Sequence, residues 1–374
     1  HHMGRCDAFC RGTPDEDEYM RRIGQAEELL NGHYRRLTRA LREEMEQEAA
    51  DLHFEQAAAL RDRMNALTNP TLAPYAKTGE VELRITAKAA TVEEARALIV
   101  PVEKEVRQDI IVKVKGLFCH KIGKMLVTGS DSIVITGVLG LQVMNLYTNY
   151  YLVISGVRAL LVRIFEILTN SVGNFLLDSN PEKNRDIYRK IDFINFWCFG
   201  CVTVGMYAVM QPLIVLWLGE EFLFDKSILF VLAVSFYLDG MRASVNTFKE
   251  AAGIFHEDRR IPLLEAGINL VVSIVLAKLM GAAGVFLGTI ISMEIVYLYS
   301  YPKYVCKPLF DMSYGQYVGK TAEHLLVLLV TLGITEGCTI GMKGWNPWLQ
   351  FFAGGVAAVV VFHGVFLVLY GRST

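Results

Sequence analysis

From about residue 113 to its end, the chain alternates long apolar runs with short charged stretches. Eight runs reach spanning length, near 122–141, 143–168, 193–218, 227–247, 262–280, 282–300, 322–341 and 348–370. A hydrocarbon core about 30 Å thick takes about 20 mostly apolar helical residues. The last run carries no charge, whereas the first mixes Ser, Thr, Gly and Asp131 in MLVTGSDSIVITGVLG. A soluble core seldom repeats an apolar run of this length so often. The pattern therefore predicts a mainly α fold: a polytopic transmembrane helical bundle over residues 111–374.

Upstream the periodicity changes. Leu29, Leu30, Tyr34, Leu37, Leu41 and Met45 keep three- and four-residue spacing, and Phe54, Ala57, Ala58, Leu60 and Met64 resume it. Two amphipathic helices reversing near 50–52 would bury both stripes in a small cytosolic hairpin. Residues 69–108 open with two prolines, then offer a strand at 80–87 and a helix from about 92. Thr91 and Glu94 stand at capping-box spacing, so the Thr hydroxyl would accept a helix amide while Glu94 reaches back. The expected organisation is a segment 1–67 with helices over 14–67, a β–α unit at 68–110 and the membrane part at 111–374.

Bulk composition conceals this division. A net charge of −2 and 20% charged residues average two unlike halves, since most acidic groups lie in the first 110 residues. Loop charges give an orientation. Lys113, Lys115, Lys121, Lys124, Lys183, Arg185, Arg189, Lys190, Lys249, Arg259, Arg260, Lys303, Lys307, Lys320 and Arg372 fall on one side. The opposite connections hold Lys226, Lys278 and Lys343. The positive-inside rule then places both termini in the cytoplasm. No signal peptide is expected before the first run, so the spans themselves would direct insertion. The seven cysteines suggest no disulfide framework, and Cys198 and Cys201 read as small packing residues on one helix face.

Ionisable groups inside the apolar runs narrow the chemistry. Each costs about 2.5–3.5 kcal/mol at a helix centre on insertion scales, so they face protein or a wet cavity. They are Asp131, Arg158, Arg163, Glu166, Asp239, Arg242, Glu265 and Glu294, with Lys278 near an end. Arg163 with Glu166, and Asp239 with Arg242, can pair at i, i+3. Arg158 has no partner within one turn of its own helix, leaving it to a cavity substrate, an interhelical pair or snorkelling. The sequence has no phosphate-binding GxxxxGK[ST], no HExxH and no Ser/His/Asp arrangement. An enzyme or ATP-driven pump is not expected, no cofactor is implied, and a secondary transporter or flippase leads.

Three resemblances bear on this. The segments HKIGKMLVTGSDSIVITGVLG, PEKNRDIYRKIDFINFW, FYLDGMRASVNTFKEAAGIFHEDRR and INLVVSIVLAKLMGAAGVFLGTIIS resemble the C-terminal half of a Wzx-type polysaccharide flippase. That likeness implies translocation of undecaprenyl-diphosphate-linked oligosaccharide, such as O-antigen units, across the bacterial inner membrane. It makes Arg158, Arg163 and Arg242 candidate substrate cations and Asp131 and Asp239 candidate coupling-ion carriers. The family folds as two bundles around a cavity, so a chain with one bundle would act as a homodimer or not at all.

LREEMEQEAADLHFEQAAALRDRMNAL resembles the UVR motif of the excision-repair proteins UvrB and UvrC, which implies a UvrB-like partner meeting Phe54, Glu55, Leu60 and Arg61. The same likeness makes Cys6 and Cys10 resemble half of an iron–sulfur ligand set; no metal site is expected from two ligands. PTLAPYAK and GEVELRITAKAA resemble a stretch of the CinA family of competence/damage-inducible proteins. No direct nucleic-acid binding is expected. The alternatives to transport are thus a UVR interaction protein and a non-functional composite of three gene fragments.

Overall fold

The computed structural model describes residues 34–50, 53–67, 70–77, 80–177 and 180–371. Cys6 and Cys10 lie outside the described residues. The chain divides into two compact units, His1–Ile110 and Ile111–Thr374.

In the first unit, helix α1 (Tyr34–Ala50) packs against α2 (Phe54–Leu67). The reversal is fixed where His53 donates its backbone N–H to the Glu48 carbonyl at 2.9 Å, with the His53 ring 2.9 Å from the Glu48 carboxylate. Ala57 and Leu60 are buried. An antiparallel hairpin follows, β1 (Thr71–Lys77) with β2 (Glu80–Thr86), in register from Thr71 opposite Thr86 to Lys77 opposite Glu80.

The sequence pattern shows β2 and hides β1, because Pro74 cannot donate to a ladder and argues against a strand. A two-stranded sheet has only edge strands, so the missing N–H is tolerated opposite Leu83. The unit is therefore β–β–α, not β–α. Thr91 caps the next helix by accepting the Glu94 N–H at 3.2 Å; the return bond from the Glu94 side chain is not formed among the described residues.

Helix α3 (Val92–Val134) ends in a π-helical turn, Ile135–Leu139. Gly140, at φ 91°, ends that turn in a conformation open to glycine. Then come α4 (Leu141–Leu177), α5 (Pro181–Trp217), α6 (Lys226–Ala251), α7 (Ile261–Met280) and α8 (Ala282–Tyr301). A second π-helical turn and a short helix lead to α9 (Tyr314–Gly341) and α10 (Pro347–Tyr370).

Local chemistry sets these boundaries. Asn180 accepts the Lys183 N–H at 2.9 Å with Pro181 at the first helical position of α5. Ser313 and Gln316 form a complete capping box at α9. Gly281, at φ 63°, turns α7 into α8.

Seven described helices are long and apolar enough to cross a membrane. They are Val92–Leu139, Pro181–Trp217, Lys226–Ala251, Ile261–Met280, Ala282–Phe310, Tyr314–Gly341 and Pro347–Tyr370. The eighth expected run lies in α4, whose apolar stretch carries Arg158, Arg163 and Glu166 together. Helices α5 and α6 are central, with 56% of their most apolar windows buried. By contrast α10, the most apolar helix, has only 17% of its window buried. It turns Phe352, Val356, Val360, Leu367 and Val368 outward. Apolar surface on that scale suits contact with lipid rather than water.

Candidate functional site

The charged interior of the second unit is built across four helices. Arg158 of α4 pairs with Asp239 of α6, which also lies 3.4 Å from Arg242 one turn along its own helix. Arg242 reaches Glu265 of α7 at 3.5 Å, stacks 3.6 Å above the Tyr297 ring of α8 and donates to the Tyr301 hydroxyl at 3.2 Å. Tyr297 donates to Glu265 at 2.7 Å, and Tyr301 to Asn246 at 2.9 Å. Two guanidinium groups and two carboxylates thus neutralise one another, as burial requires. The pairs differ in access: the Arg158 side chain is 37% exposed and that of Glu265 6%.

Arg242 also borders a cavity of about 30 Å³ between α5, α6, α8 and α9. Tyr188, Asp192, Tyr237, Glu294 and His324 line it as well. Asp192 accepts a hydrogen bond from Ser244 at 2.8 Å, and its other oxygen stands 3.8 Å from His324 Nδ1. The His324 ring stacks on Phe196, with centroids 4.2 Å apart and planes 5° from parallel. His324 Nε2 and the Tyr237 hydroxyl are buried without a hydrogen-bond partner among the described residues.

Asp131 occupies a different setting. It accepts from Thr289 at 2.9 Å, and Asn269 donates to the same Thr289 oxygen at 2.9 Å. Ser130 closes the group by donating to Asn269 at 2.6 Å. Ser130 and Asp131, two of the polar residues that make the first run look weak, are thus its contacts to α7 and α8.

Small residues bring these helices together. A Cβ at Gly123 would stand 2.4 Å from Pro262 Cβ. One at Gly288 would stand 2.4 Å from Ser273 Oγ, and one at Gly284 2.0 Å from the Leu276 carbonyl oxygen. Gly284 and Gly288 thus form a GxxxG seam.

Ion pairs tie the helix ends. Lys226 lies 2.8 Å from both oxygens of Glu336, which also accepts from Tyr207 at 3.0 Å. In the α6–α7 connection, Asp258 is ion-paired with Lys249 and 2.8 Å from His120 Nε2. Burial alone would push the Asp258 carboxyl up, but the hydrogen bond with His120 and the charge of Lys249 outweigh it. The carboxyl is held below its ordinary range.

Of the residues singled out from sequence, Arg158, Asp239 and Arg242 come together. Arg163 does not join them: it pairs with Glu166 at 3.0 Å, and its side chain is 80% exposed. Asp131 belongs to the α3–α7–α8 seam. Glu55 and Arg61 are exposed on α2, Leu60 is buried, and Phe54 opens that helix with its side chain outside the described ones. Cys198 and Cys201 are free thiols, and no group of three metal-ligating side chains occurs among the described residues.

Asp192 and His324 escaped the sequence reading. Asp192 lies one residue before the apolar run that begins at 193, and His324 is not charged in the usual count. A usable signal was present: the cap at Asn180 starts α5 well upstream, putting Asp192, Asn195, Phe196 and Phe199 on one helical face.

Comparison with known proteins finds likeness at the N-terminal end. Residues 35–69 match the UvrB/uvrC motif, and residues 55–114 match the damage-inducible protein CinA KH domain. The chain is 38% identical over 87 residues to the UvrABC system protein C of Alcanivorax borkumensis, covering 23% of this chain and 14% of that protein. It is 60% identical over 52 residues to a protein of Clostridium botulinum strain Okra named as competence-damage inducible, covering 14% of this chain and 13% of that one. A similarly named protein of Clostridium novyi is 44% identical over 81 residues, covering 21% of this chain and 20% of that one. The chain therefore spans a fifth or less of the length of these relatives. No solved structure matches. The first unit carries UVR-like and CinA-like sequence, and the second is a helical body with membrane-length apolar helices.

Proposed function

We propose that Ile111–Thr374 is the helical body of a flippase-type transporter for undecaprenyl-diphosphate-linked oligosaccharide. The observation that carries this reading is the Arg158–Asp239–Arg242 cluster within apolar helices. Arg158 is held by a carboxylate that it shares with Arg242, and it remains more than a third exposed. A diphosphate could displace Asp239 from Arg158 and leave Asp239 paired to Arg242, so binding would exchange one ion pair for another. The sequence likeness to polysaccharide flippases supports the same class.

In this reading the protein lies in the bacterial inner membrane with both termini cytoplasmic, and a second copy supplies the facing bundle. The test is Arg158→Ala in a cell whose glycan export depends on this chain. Export falls at least tenfold with insertion unchanged; normal export by a well-inserted variant removes Arg158 from the site.

A second reading, a membrane-tethered interaction protein, is favoured by the match of residues 35–69 to the UvrB/uvrC motif and by the α1–α2 hairpin there. The hairpin would engage a UvrB-like partner through α2, with Glu55 and Arg61 at its surface. Capture of such a partner by the full chain in detergent, lost in a Glu55→Lys, Arg61→Glu variant, supports this reading; no capture removes it. The two family matches overlap at 55–69 and each covers a small part of the chain. That overlap supports the third reading, a composite of gene fragments, which single-molecule sequencing of the source DNA across codons 60–120 would establish or remove.

A further inference from the structure

The cavity beside Arg242 holds a carboxylate and an imidazole that the transport reading does not use. Asp192 is buried, with His324 Nδ1 3.8 Å away, a contact that is an ion pair only when the imidazole is protonated. Its one neutral donor among the described residues is Ser244. A buried carboxylate left with so little compensation is costly when charged. His324 is buried to 1% exposure with its ring plane set by Phe196, and Nε2 lacks a partner. The Tyr237 hydroxyl, also 1% exposed, lacks one as well. These unsatisfied polar atoms border one cavity of about 30 Å³, enough for water.

We propose that Asp192 and His324 form a proton-binding site, reached through this cavity past Tyr237. Uptake adds one proton to the Asp192 carboxylate, with His324 remaining neutral beside it, and takes the net charge of the pair from −1 to 0. No bond between heavier atoms changes.

The surroundings favour a proton over a metal cation. From α6, Arg242 presents a fixed positive charge to the same cavity. From α9, Lys320 adds a second that acts on both members of the pair, itself bonded to Glu323. On α8, Glu294 is the one further carboxylate on the cavity wall, and Tyr297 there is committed to Glu265. The remaining titratable groups facing Asp192 are phenols or thiols: Tyr188 on α5, Tyr317 on α9, and Cys306 in the second π-helical turn. Tyr370 of α10 faces Tyr237. The two fixed charges oppose either cation, but a hard metal ion also needs several oxygen ligands close together, whereas a proton needs one acceptor and a path. Only the use of this proton to drive export rests on the transport reading, and protonation is measured without export.

The test is pH-difference infrared spectroscopy of the full chain in detergent micelles, in potassium and in sodium buffers. The wild-type protein shows a protonated-carboxyl band on acidification, the same in both salts. Asp192→Asn removes that band, while Glu294→Gln and Asp131→Asn leave it. His324→Gln moves its midpoint by about one pH unit or more, a tenfold change in proton affinity. Ser244→Ala moves the midpoint too, and it stands in if Asp192→Asn fails to elute as a folded species. The proposal is overturned if the band survives Asp192→Asn, if it belongs to Glu294, or if sodium abolishes it, which would mark a metal-cation site.

Discussion

Two buried carboxylates of the second unit, Asp131 and Asp192, sit in apolar helices yet meet opposite surroundings. Asp131 is closed into a seam where Thr289, Asn269 and Ser130 bond to it or to one another, and glycines bring the backbones of α7 and α8 together. Asp192 has one hydroxyl and a histidine, and opens on a cavity with unpaired polar atoms. A closed network fixes one arrangement of helices. An open one keeps groups in reserve, and unsatisfied buried atoms are rare enough in proteins to call for a use.

The comparison can be strained from both sides. The largest effect is expected at the cavity wall, where Arg242→Met leaves Glu265 buried without its cation. Breaking a buried pair by removing one partner costs about 3–5 kcal/mol. Reversible unfolding in mixed micelles should show that loss, and a change under about 1 kcal/mol would mean that Tyr297 alone satisfies Glu265.

On the seam side, Gly288→Val forces a side chain against Ser273 and should cost about 1–3 kcal/mol by overpacking. The same substitution at Gly267, where an added Cβ meets nothing within 4 Å, serves as the control for helix propensity. Equal costs at the two positions would deny the seam its close packing.

A third prediction concerns pH and the α6–α7 connection. Because the folded Asp258 carboxyl is held below its ordinary value of 3.8, its contribution is present above that value. It is lost as pH falls through the lower folded value. The thermal unfolding midpoint should therefore fall at pH values below about 4, and Asp258→Asn should flatten that acid limb. An unchanged limb would assign acid sensitivity elsewhere.

The smallest effect is expected for Asp131→Asn. Its partners are neutral and an amide oxygen can still accept from Thr289, so the cost should stay below about 1 kcal/mol. A larger loss would show that the negative charge itself matters in the seam and erase the contrast with Asp192.

Much of this was legible from order alone. The apolar runs located α5 to α10 because lipid contact demands a length and composition independent of neighbours. One cap was legible, at Thr91, which accepts the Glu94 amide as its spacing predicts, although the return bond from Glu94 is not formed among the described residues. Strand β1 was not, because Pro74 looks like a break unless the chain is known to form an isolated hairpin. The site was half visible. Arg158, Asp239 and Arg242 stood out as charges in apolar surroundings, but Arg163 stood out equally and points away. Spacing along one helix cannot say which face meets another helix.

The sequence by itself determined that the second unit carries helices long and apolar enough to cross a membrane, because hydropathy and length are properties of single segments. It also determined the likeness of the first unit to UVR and CinA proteins, which rests on residue order. Tertiary structure decided the pairing of Arg158 with Asp239, the closed seam around Asp131 and the meeting of Asp192 with His324 across 132 positions. Those contacts depend on the rotation and approach of packed helices, set by glycine seams and aromatic stacking between segments far apart in the chain.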